Sequence, residues 1–96
     1  MQTEDIVARR ILRLKGADET WSDVITTIGR PSEASGGEWL CRCVITGLAR
    51  REDYSIAGID GFQAIELAVR FIGDRLKDSP EFREGRLYWD DSSRYD

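Results

Sequence analysis

The sequence predicts an α+β domain: an antiparallel sheet of three to five strands with one long helix packed across one face. Three observations predict it. Residues 61–78 put Phe62, Ile65, Val69, Ile72 and Leu76 on one helical face, with Gln63, Glu66, Arg70 and Lys77 on a polar stripe. Residues 38–48 alternate with a period of two, Trp39, Cys41, Cys43 and Ile45 against Leu40, Arg42, Val44 and Thr46. The run Val24-Ile25-Thr26-Thr27-Ile28 is dense in β-branched side chains, which suit a pleated surface. A helix this apolar needs a surface to bury against, and alternating strands offer one. The 96 residues fit one domain, with 1–4 and 90–96 expected as frayed ends.

Taken in chain order, residues 5–15 read two ways. Acids first, bases last and Gly16 as a stop describe a helix, which propensity favours. Ala8, Leu12 and Leu14 against Arg9, Arg13 and Lys15 describe a strand, with Arg10 and Ile11 breaking the alternation. Gly16 to Glu19 reads as a turn, Trp21 to Ile28 as a strand, and Gly29 to Gly37 as a loop. Glu38 to Leu48 is the clearest strand, with the Trp39–Ile45 face the better core candidate. Tyr54 to Ala57 reads as a short further strand. Asp60 caps the helix and Gln63, three residues on, supplies a capping box worth about 1 kcal/mol. Pro80 stops the helix, and Gly85 to Trp89 reads as a last short strand.

Ile28-Gly29-Arg30-Pro31, then Trp39-Leu40-Cys41, then Gly58-Ile59-Asp60-Gly61-Phe62-Gln63-Ala64-Ile65, then Gly85-Arg86-Leu87-Tyr88-Trp89 occur in that order. This layout, from about Asp5 to Trp89, resembles a family of short bacterial proteins catalogued only as a domain of unknown function. The resemblance implies strands before the helix, and so a strand over residues 5–15. It implies no activity, cofactor or catalytic residue.

Composition excludes several chemistries. There is no histidine, which removes Ser-His and Cys-His catalysis and most catalytic zinc sites. Cys41 and Cys43 point to one face of a strand, at the far limit for a disulfide, with no second cysteine pair for zinc. Two buried thiols are expected. Asp60-Gly61 lacks the ligand series of a calcium loop. Asp90 and Asp91 are adjacent, so on a strand they face opposite ways and form no dyad. A formal charge of −4 is the wrong sign for a nucleic-acid backbone binder. No stretch is long and apolar enough to span a membrane, and the acidic start is unlike a signal peptide, so a cytoplasmic location is expected.

No catalytic, cofactor-binding or metal-binding residue emerges, and no cofactor is implied. The leading expectation is a non-enzymatic interaction module, binding a protein partner or itself as a homodimer. The alternative is a small-ligand or anion-binding domain using the Gly29–Gly37 loop, with Arg30, Ser32 and Ser35. A carboxylate enzyme is the third, and a deep pocket with two convergent carboxylates is what would revive it. Trp21, Tyr88 and Trp89 complete the candidate binding surface, because exposed Trp and Tyr are enriched at interface hot spots. The run Val24 to Ile28 suits pairing with another strand if it lies at an edge, and Arg9, Arg13 and Lys15 are the charges that would guard such an edge.

Overall fold

A computed structural model describes residues 5–96. Six strands and two helices follow in the order β1 (Ile6–Lys15), β2 (Trp21–Gly29), β3 (Ser32–Glu33), β4 (Trp39–Thr46), β5 (Glu52–Gly58), α1 (Gly61–Asp78), α2 (Pro80–Arg83) and β6 (Leu87–Tyr88). The class is the expected α+β, with one six-stranded antiparallel sheet rather than three to five strands. Residues 1–4, expected to fray, lie outside the described residues.

β1 is a strand, not a helix. Its ten residues pair with β2 from Ile6↔Gly29 to Lys15↔Trp21, with one irregularity between Ile6 and Ala8. Burial on the sheet overrides the helical propensity of Arg, Leu and Lys. β4 is an interior strand next to the β5 edge. One side pairs with β5 along its length, and on the other its two halves meet β3 and β2. β3 is the extra strand. Pro31 has no N–H to give a ladder, so pairing breaks there and resumes at Ser32, inside what the sequence suggests as a plain loop. The β-branched run of β2 is interior, between β1 and β4, and offers no edge.

Helix α1 occupies the expected residues. Asp60 Oδ1 accepts from Gln63 N–H at 2.8 Å, and Gln63 Oε1 accepts from Ile59 N–H at 2.8 Å. The reciprocal contact thus reaches one residue further back than in the usual box. Gly58 lets the helix start close to β5, since a Cβ there would stand 2.5 Å from Ala64 N. α1 buries Ala64, Ala68, Ile72 and Leu76 over the inner face of the sheet, where Val24, Cys41, Cys43 and Ile45 are almost fully covered. Trp39, a core candidate, is only half-buried. Helix α1 ends at Asp78, just before Pro80 as expected, and Pro80 opens a second helix. Ser79 Oγ caps this one-turn helix by accepting from Phe82 N–H at 3.2 Å, and Pro80 suits its first position.

The C-terminal segment is packed where fraying was expected. Tyr95 N–H donates to Leu87 C=O at 2.9 Å, Trp89 N–H donates to Ser93 C=O at 2.7 Å, and Tyr95 is buried between Phe82 and Trp89.

Candidate functional site

Among the described residues, β5 forms one edge of the sheet and β1 with β6 the opposite one, while the two-residue β3 pairs only with β4. β6 pairs with β1 only at Arg13 and Leu14, and Lys15 N–H donates to Arg86 C=O at 2.9 Å. Backbone groups alternate sides along a strand, so those of Arg9 and Ile11 point the same way as Lys15's. No strand meets them among the described residues. The outward side chains nearby are apolar and exposed, Val7 at 52% and Ile11 at 49%.

The inner face of β1 changes character at the same place. Leu12 and Leu14 are buried, whereas Ala8 and Arg10, on the same face, are exposed. Helix α1 packs over β4 and β5 and leaves this corner uncovered. A cavity of about 330 Å³ results, floored by Ala8, Thr26 and Ile28, walled by Val69, Ile72 and Gly73 of α1, and closed at one end by Tyr95. One turn back along the helix, Phe62 and Ile65 face Pro31 and Trp39 across a second depression. Phe62, Ile65, Val69 and Gly73 share one flank, so the two depressions lie on the same side of α1 along about 16 Å of its length. Phe62 is 83% exposed.

Gly73 is an anomaly in that wall. Glycine inside a helix costs about 1 kcal/mol relative to alanine. A Cβ at residue 73 would have nothing within 4 Å among the described residues, so no contact there requires its absence.

The charged side chains that line the groove are Arg9 and Arg10. Arg9 and Arg10 have no ion-pair partner among the described residues, although the Arg10 guanidinium lies over the Trp89 ring at 4.9 Å. Arg13 bridges Asp23 and Asp91, and both hold its pKa above the ordinary value.

The candidate residues separate into two groups. Tyr88 and Trp89 stand at the β6 end of the open edge, and Trp21 packs edge-on to Tyr88 at 5.1 Å. Arg30, Ser32 and Ser35 lie elsewhere, exposed around β3. Arg30 pairs with Asp5 at 3.5 Å, and the N–H groups of Arg30, Ala34 and Gly37 are spent on backbone carbonyls. Sequence reasoning missed Ala8, Ile28, Val69 and Gly73. The lone glycine inside the helical pattern was the available signal.

Two other chemistries can be placed. Cys41 and Cys43 are free and buried; desolvation raises both, Cys43 to about 11 with smaller contributions from Cys41 and Asp53, and Cys41 Sγ donates to Gly29 C=O at 3.3 Å. Both remain thiols near neutral pH, not nucleophiles. A cavity of about 260 Å³ holds two buried carboxylates, Glu52 and Glu81. Glu81 Oε2 accepts from Ala49 N–H at 2.8 Å, and Glu52 Oε2 accepts from Arg75 at 2.9 Å. Arg75 lowers the Glu52 pKa, the opposite of what a general acid needs. Glu52 Oε1 and Arg75 Nε are left without partners among the described residues, both sealed from solvent. The pair joins β5 to α1 and presents no acid–base couple. No cluster of three metal-ligating side chains occurs among the described residues, and no described helix is long and apolar enough to cross a membrane.

No curated protein and no solved structure matches the chain. A family model does, across residues 8–96, which include β1 from Ala8, the whole of α1 and the packed C-terminal segment. The chain therefore belongs to the family described as Domain of unknown function (DUF6968).

Proposed function

We propose that this domain is a non-enzymatic interaction module that takes an extended segment of a protein partner along the open edge of β1. The observation that carries the reading is the coincidence, at Arg9–Ile11, of outward backbone groups that no described strand pairs with and an apolar groove beside them. Backbone pairing supplies general affinity in strand addition, and pockets for alternate side chains supply selectivity. The groove is suited to the second task. A second copy of the chain is a poorer occupant. Two paired β1 strands would bring Arg9, Arg10 and Arg13 of both copies into one ribbon, and facing like charges destabilise a strand pair.

Photo-cross-linking tests the reading. A photoreactive residue placed at Ile11 or at Val69 should trap the same protein partner in cells. The same residue at Ser55, exposed on the β5 edge, should trap none. Equal yields from Ser55, or no product from Ile11, would remove the support for the β1 edge.

A further inference from the structure

The chemistry of the occupant is written in what already lies along the other half of β1. The chain's own segment 87–96, Leu-Tyr-Trp-Asp-Asp-Ser-Ser-Arg-Tyr-Asp, is aromatic and acidic. It runs beside the basic strand, pairs with Arg13 and Leu14, sets Trp89 under Arg10, and gives Asp91 to Arg13 at 3.3 Å. Its Tyr95 ends in the groove. The uncovered half repeats the same offer: two cations without carboxylate partners among the described residues, outward backbone groups at Arg9 and Ile11, and an apolar floor. Gly73 adds an independent sign. Its missing side chain keeps space that no described residue fills, and a partner side chain over the helix backbone would use it.

We infer that the occupant of this groove is an acidic, extended protein segment that seats one large apolar side chain over Gly73, beside Arg9 and Arg10. The inference rests on the edge-binding reading and adds its charge and its anchor. The carboxylates complete the two arginines, as Asp91 completes Arg13. The anchor takes the place that a residue larger than glycine would occupy.

A randomised display library of short peptides, selected on the full chain, is the test. Enriched peptides should be rich in Asp and Glu around a single aromatic or aliphatic residue, and their binding should weaken as salt rises. Gly73→Leu should weaken that binding roughly tenfold or more, about 1.4 kcal/mol per tenfold. Gly73→Ala should raise the melting temperature while lowering affinity, a pairing of signs that general damage to the fold does not give. Ile11→Pro should abolish binding without unfolding the chain. Enriched peptides that are neutral or basic yet sensitive to both substitutions would overturn the acidic inference and leave the edge reading standing. Binding insensitive to both substitutions, or no enrichment at all, would overturn both. A dimer of the free chain that dissociates in Gly73→Leu would make a second copy the occupant and overturn the acidic segment.

Discussion

The two edges of the sheet solve the same problem differently. Each exposes unpaired backbone groups, which invite another strand. β5 is short, and its charged end is closed. Asp53 is held by both arms of Arg42, at 3.0 and 2.8 Å, and by Arg51 at 3.1 Å, while Glu52 is held by Arg75 under the end of α1. Tyr54 stacks edge-on to Phe71 at 5.0 Å. β1 is longer, half of it is open, and Arg9 and Arg10 there have no carboxylate partner among the described residues. An edge whose charges are mutually satisfied gives a partner nothing to complete. An edge with unpaired cations and an apolar groove does. The proposed binding edge is the one that leaves more unsatisfied among the described residues.

The largest expected effect separates the covered from the open part of β1. Leu12→Ala should destabilise the domain by about 2–5 kcal/mol, because Leu12 is fully buried and its loss leaves a cavity. Ile11→Ala, one residue away, should cost less than about 1 kcal/mol. Chemical denaturation of both variants measures the difference. Equal losses would mean that the outward face of β1 is covered, and the contrast between edges would fail.

Proline distinguishes the two sides of the strand more finely. Pro in place of Arg10 removes an N–H directed at β2 and should cost about 1–3 kcal/mol. Pro in place of Ile11 removes an N–H directed at solvent, where edge strands tolerate it, and should cost less than Arg10→Pro. Thermal melts of the pair order the two. If Ile11→Pro is the more damaging, the open edge has been assigned to the wrong residues.

The smallest effect lies on the closed edge and depends on pH. The hydrogen bond from Arg42 is the main cause that lowers the Asp53 pKa from its ordinary 3.8 to about 2; desolvation opposes it and a weaker hydrogen bond from Arg51 adds to it. A depressed carboxylate stabilises the fold above its unfolded pKa and loses that contribution as pH falls through the folded value. The Asp53 contribution should therefore be complete above about pH 4 and fade toward pH 2. Solvent screening of a pair this exposed limits it to about 1 kcal/mol. In Asp53→Asn, the acid-side loss of stability between those values should shrink. An unchanged acid limb would show that the β5 edge is not held by this pair.

Local sequence determined the elements whose partners lie close by or whose pattern is strong. The helix over 61–78 and its Asp60 cap needed only periodicity and a side chain three residues from an N–H. The alternation of Trp39 to Ile45 fixed the inner face of β4 because strand side chains have a period of two. The absence of histidine fixed the chemistry that is missing. Tertiary structure decided the rest. β1 became a strand because β2 lay beside it, against its own propensity. Ile11 and Leu12 were equally apolar in the sequence. Their fates diverged because strand side chains alternate between faces: Leu12 pointed into the core and Ile11 to the opposite, uncovered face of the sheet. The groove exists because α1 lies over β4 and β5 and stops short of β1, an offset set by packing among distant segments rather than by any local pattern.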